Sequence, residues 1–116
     1  MQGTNQYLMI AEAWGSGSVR YFRAWTSTSL DGTWTPLTGT EASPFAGSKN
    51  VTFAGTAWTK DISSGEAIRS NYDQTVAINP CTMQYAYQGR DPNVSTGSYS
   101  TLPWRIALLT QTNPTC

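Results

Sequence analysis

Histidine is absent from the 116 residues, and that absence removes several chemistries together. A Ser-His triad, a Cys-His dyad and most zinc sites need an imidazole. Any acid–base chemistry here therefore falls to carboxylates. Charge is scarce as well: Asp, Glu, Lys and Arg make up 12% of the chain and the formal net charge is zero. Nucleic-acid binding needs a Lys/Arg surplus on one face, and a polybasic membrane contact needs the same. No apolar run approaches the roughly 20 residues that a membrane-spanning helix requires. Strong helix formers such as Leu, Lys and Glu are few. What remains is rich in Thr, Ser, Gly, Trp and Tyr, and Thr and the aromatics suit a pleated, half-buried surface.

Five Trp and six Tyr read either as core and cross-strand packing or as platforms for sugar rings. Two cysteines are present, Cys81 and Cys116. A disulfide between them would close a loop of about 35 residues and be worth about 3–4 kcal/mol in the chain-entropy model. The alternatives are unpaired thiols, or a partner for Cys116 outside the chain. Two sequons, at Asn50 and Asn93, are glycosylated only in a eukaryotic secretory route. Residues 1–6 (MQGTNQ) are polar and carry no signal-peptide h-region. Either a leader has been removed, or the chain starts within a longer protein.

Residues 7–14 (YLMIAEAW) form an apolar run ended by the turn-rich Gly15-Ser16-Gly17-Ser18, and residues 20–27 (RYFRAWTS) follow as a second strand. The pair predicts a hairpin. Asp31-Gly32 supplies a tight turn before 34–37, and the stretch 39–48 reads as a loop. Further strand candidates are 50–53, 57–60, 65–69, 75–78, 83–88 and 105–110, while 90–103 is polar and turn-rich. The pattern predicts an all-β chain of about eight short strands with no helix. Two architectures fit: about two four-stranded β-propeller blades, or a small β-sandwich.

Among the carboxylates, Glu12 is the strongest candidate. Alternation puts it on one strand face with Leu8 and Ile10, and Tyr7, Met9, Ala11 and Ala13 on the other. Such apolar neighbours desolvate a carboxyl and favour the protonated form that a glycosidase's general acid needs. The plainer reading is a strand-end Glu with its head in water. Glu66, Arg69 and Asp73-Gln74 read as turn or surface residues on spacing alone. Tyr99 sits on a polar loop, where it suits either substrate stacking or anchorage to the core.

The ordered segments YLMIAEAWGSG, RYFRAWTSTSLDGTWTPL, WTKDISSGEAIR, DQT, INPC, YQGRDP and SYSTLPWRIALLTQT span nearly the whole chain. Together they resemble glycoside hydrolase family 62, the α-L-arabinofuranosidases that act on arabinoxylan. The resemblance implies a secreted enzyme built as a five-bladed β-propeller. This chain would be the C-terminal part of its catalytic domain, and the missing N-terminal blades its structural partner. The family's general acid maps onto Glu12, and pocket positions map onto Arg69, Gln74 and Tyr99. Inversion at the anomeric carbon is implied, with the base and a second, acid-tuning Asp in the N-terminal part. Where the family usually reads Ser-His-Gly-Glu, this chain has Ser63-Ser64-Gly65-Glu66. That His is associated with a structural calcium, so Ser64 makes calcium binding doubtful; no cofactor is required. In fungal relatives the C-terminal cysteine often pairs near the mature N-terminus, which leaves Cys116 free or paired with Cys81. Strand edges that neighbouring blades would cover invite self-association of an isolated chain.

Overall fold

The two alternating runs on either side of the Gly15–Ser18 breaker do form a hairpin. In a computed structural model describing residues 1–94 and 96–114, β1 (Tyr7–Trp14) and β2 (Arg20–Ser27) pair antiparallel along their full length. The register runs from Tyr7 opposite Ser27 to Trp14 opposite Arg20. The chain reverses through Gly17 and Ser18, both at positive φ (66° and 60°). After the Asp31-Gly32 turn, β3 (Thr35–Thr38) joins the free side of β2, giving the order β1-β2-β3. Its Pro36 has no N–H for a ladder, which suits an edge strand. A second antiparallel sheet contains β4 (Ser63–Ala67), β5 (Gln84–Gly89) and β6 (Arg105–Thr110) in the order β4-β5-β6.

The core lies between the two central strands. On β2, Phe22 and Ala24 are buried while Tyr21, Arg23 and Trp25 are half-buried; on β5, Tyr85 and Tyr87 are buried. Phe22 and Tyr85 meet edge to face with ring centroids 5.0 Å apart, an arrangement worth about 0.5–1.5 kcal/mol beyond its area. Ile62 and Ala46 complete the buried cluster, and Ile10, Phe45, Trp58 and Leu109 pack around it. Phe22 also bridges to Ala46, which draws the 39–48 loop onto the sheet.

The all-β expectation holds, but the count of strands does not. Each sheet has three strands among the described residues, rather than the four of a blade. The stretches 50–53, 57–60 and 75–78 are irregular, and side chains explain why. The Asn50 and Val51 N–H groups donate to the Gly47 carbonyl, and the Asn50 amide donates to Pro44 and Phe45 carbonyls, so this stretch folds as a turn. The Thr59 hydroxyl serves the backbone of Asp61 and Arg90 instead of leaving it to a ladder. Asp73 accepts from the Thr75 N–H, and Val76 adopts φ 50°, a conformation that a β-branched residue rarely takes. Local hydrogen bonds of this kind compete with strand pairing. The radius of gyration, 15.1 Å, exceeds the about 13 Å of a compact domain this long. The candidate Cys81–Cys116 disulfide involves Cys116, which lies outside the described residues.

The strand expected at 65–69 lies at Ser63–Ala67 and carries a bulge. Ser63 stands opposite Gln88 and Glu66 opposite Ala86, so β4 has one residue more than its partner. Gly65 makes the close approach possible: a Cβ there would lie 2.0 Å from the Ala86 carbonyl oxygen and 2.7 Å from the Tyr85 ring. Gly65→Ala is therefore expected to cost about 1–3 kcal/mol, as overpacking against backbone does. Urea denaturation checks this, and an unchanged midpoint would contradict it.

Candidate functional site

The bulge in β4 decides what faces Glu12. With one residue extra, β4 turns the Ser64 N–H out of the ladder, and it donates to Glu12 Oε2 at 2.6 Å. The Ser63 hydroxyl donates to the same oxygen at 3.1 Å. The other oxygen, Oε1, lies 3.3 Å from Arg20 Nε. That contact is a charge pairing, since the Nε–H makes no aligned hydrogen bond. Glu12 is thus held from its own sheet by Arg20 of β2 and from the other sheet by β4. Its side chain is 28% exposed. The apolar surround expected from Leu8 and Ile10 is not what the carboxylate meets. Those two side chains turn toward the core and the cleft beside it, while Glu12, nearer the strand end, meets polar donors.

Arg20 is the hub. It is buried, at 8% exposure, because alternation places it on the core face of β2 with Phe22 and Ala24. Its backbone N–H donates to Asp61 Oδ1 at 3.0 Å, and its Nη1 reaches the Ser63 hydroxyl at 3.4 Å. Three aromatic rings surround the guanidinium: Trp14 at 4.4 Å, Trp104 at 5.3 Å and Tyr99 at 5.4 Å from centroid to Cζ. Buried Asp61 pairs in turn with Arg90 Nε at 3.5 Å, and Arg90 holds the loop start through the Val94 carbonyl. Tyr99 opens a single helical turn, Tyr99–Thr101, in the loop expected at 90–103. It packs against Trp104 with ring centroids 6.1 Å apart.

Of the residues singled out from sequence, Glu12, Ser64 and Tyr99 fall into this one cluster. Arg69 and Gln74 lie elsewhere: Arg69 pairs with Glu66 and reaches the Asp73 carbonyl, and Gln74 is exposed on the following turn. Sequence reasoning missed Arg20, Asp61, Ser63, Trp14, Trp104 and Arg90. A signal for Arg20 was available, a cation on the apolar face of RYFRAW. Asp61 had none, because its tie to Arg20 spans 41 residues.

The sequence profile described as glycosyl hydrolase family 62 matches residues 1–110. The chain belongs to that family. Alpha-L-arabinofuranosidase C of Cellvibrio japonicus (strain Ueda107) is 48% identical over 109 residues, which are 94% of this chain and 17% of that protein. Among solved structures, the catalytic domain of the Coprinopsis cinerea GH62 alpha-L-arabinofuranosidase superposes with TM-score 0.94 at 56% identity. The match covers 99% of this chain and 36% of that one. An alpha-L-arabinofuranosidase from Podospora anserina, solved with cellotriose, matches with TM-score 0.91 at 44% identity, over 97% of this chain and 35% of its own. A GH62 hydrolase solved in complex with xylotriose matches with TM-score 0.88 at 49% identity, over 95% and 34%. This GH62 chain therefore spans about a third of the solved catalytic domains it resembles.

Family 62 enzymes are cofactor-independent glycoside hydrolases, and among the described residues no group of three or more His, Cys, Asp or Glu could hold a metal. The surroundings of Ser64 also do not fit the calcium that the family motif implies. The carboxylate that Ser64 contacts is Glu12, already matched by the Arg20 guanidinium. No helix of the described residues is long and apolar enough to cross a membrane.

Beneath the site, burial pushes the Tyr85 phenol from 10.0 up to about 12, and the Glu12 and Glu66 carboxylates push the same way. The folded phenol ionises less readily than the unfolded one. Its contribution to stability is therefore complete below pH 10 and is lost as the pH rises to about 12. Tyr85→Phe is expected to lose less stability than the wild type across that window, as read by urea midpoints at each pH. Equal alkaline losses would contradict the burial argument.

Proposed function

We propose that this chain is the acid-bearing part of an enzyme that releases α-L-arabinofuranosyl side groups from arabinoxylan with inversion, Glu12 being the general acid. What supports this reading is the place of Glu12, on the strand that resembles the family's acid motif and with both carboxylate oxygens fixed by Arg20, Ser63 and Ser64. Its proton as an acid depends on the acid-tuning Asp outside this chain. An inverting glycosidase protonates the leaving oxygen with one carboxyl while a second, about 6.5–9.5 Å away, activates water. The base and the acid-tuning Asp then belong to the N-terminal part of the family domain, outside this chain.

In this reading the two sheets are blades of a five-bladed propeller, and the N-terminal blades cover the outer face of β6. Ile106 and Leu108 are 85% and 52% exposed on the outer face of β6, and leaving such a face open invites association. Secretion follows from a polymeric plant-wall substrate that cells meet outside. Short xylo-oligosaccharides, the class seen in one relative, are the backbone ligand that this reading assigns to the full-length enzyme. Arg69 and Gln74 contribute to substrate binding only through contacts made in the completed pocket, whereas Tyr99 already shares the Arg20 guanidinium with Glu12.

In the full-length protein, Glu12→Gln is expected to lower turnover on arabinoxylan by about 10²–10⁴-fold, the range for a general acid. Binding of the polymer should persist, because the amide keeps the shape of the side chain. Release of arabinose at the wild-type rate would overturn the assignment.

A further inference from the structure

We infer that Trp14 forms the wall of a sugar-stacking subsite next to Glu12, one that takes a xylosyl unit of the xylan backbone. The inference rests on the arabinofuranosidase reading and names a specificity residue within it. Trp14 lies two residues beyond Glu12 on β1, so both side chains leave the same face of the strand. Their separation along the strand is about 6.6 Å, close to the breadth of a sugar ring.

Trp14 is 65% exposed, which is unusual for the largest apolar side chain in a strand with a packed partner. One face of its indole is occupied, because the Arg20 guanidinium lies 4.4 Å from the ring centroid. Arg20 is itself fixed by Glu12, Ser63 and the buried Asp61. The ring is therefore held in one orientation from behind while its other face is open. An aromatic held that way loses little rotamer freedom when a ligand stacks on it. Tyr99, 61% exposed, lies against the same guanidinium at 5.4 Å. The two exposed rings thus flank one buried cation, and the carboxylate of Glu12 lies on that cation too. A neutral, hydroxyl-rich ring with an apolar C–H face is the ligand such a wall accommodates. The low net charge of the chain offers nothing to a polyanion.

The test is Trp14→Ala in the full-length enzyme, with Trp14→Tyr as the conservative variant. Arabinoxylan kinetics, xylotriose binding by calorimetry and the thermal midpoint are measured together. The expected result is a KM for arabinoxylan and a Kd for xylotriose each raised about fivefold to tenfold. The same result has kcat within about twofold of the wild type and Trp14→Tyr recovering most of the affinity. Unchanged KM and Kd with a lowered thermal midpoint would overturn the subsite and make Trp14 a packing residue. A fall in kcat at unchanged KM would also overturn it, because Trp14 would then act on Glu12 through Arg20. Wild-type enzyme that binds xylotriose through Trp14 but frees no arabinose would sink the catalytic reading and leave the subsite standing.

Discussion

The Glu12 carboxylate is where the two sheets of this chain meet in polar contact, and the site depends on how β4 reaches it. A regular β4 would spend the Ser64 N–H on the ladder with β5. The extra residue between Ser63 and Glu66 releases that group, and it donates to Oε2 at 2.6 Å. Bulges re-aim backbone and side chains next to functional sites, and this one is possible only because Gly65 brings no Cβ against the Ala86 carbonyl. A single small residue thereby couples the packing of the second sheet to the position of the Glu12 carboxylate on the first.

Arg20 performs the matching task from the other side. A guanidinium at 8% exposure is costly unless its charge and donors are matched. Here Glu12 matches the charge, Ser63 accepts a hydrogen bond, and three aromatic rings surround the plane. The backbone of the same residue is tied to Asp61, and Asp61 to Arg90 at the start of the loop that carries Tyr99. The long loop is thus anchored to the same network that holds Glu12. An exposed aromatic on that loop keeps a defined place near Glu12 without being buried.

Much of the fold was legible in the sequence, and the parts that were not share a cause. The hairpin of β1 and β2 followed from alternation around Gly15–Ser18, and β5 and β6 from their apolar runs. The stretches 50–53, 57–60 and 75–78 have strand-like residues, yet Asn50, Thr59 and Asp73 bind nearby backbone and displace the ladder. Propensity does not register that competition. At the site, Glu12 was legible from its motif and Tyr99 from its loop. The donors around Glu12 were not, because Ser63 and Ser64 come from 51 and 52 residues away and arrive there only through the bulge. Arg69 and Gln74 were drawn from resemblance alone; in this chain Arg69 pairs with Glu66 and Gln74 is exposed on the 70–75 turn.

The role given to Glu12 makes a demand on the leaving group. A general acid matters when the departing oxygen needs a proton and hardly at all when it leaves as a stable anion. The direct measurement is hydrolysis by the full-length Glu12→Ala variant of two substrates, arabinoxylan and a dinitrophenyl α-L-arabinofuranoside. If Glu12 donates the proton, cleavage of arabinoxylan collapses while cleavage of the activated aryl glycoside stays near the wild-type rate. An equal collapse on both substrates would contradict the account and make Glu12 a residue of binding or folding instead.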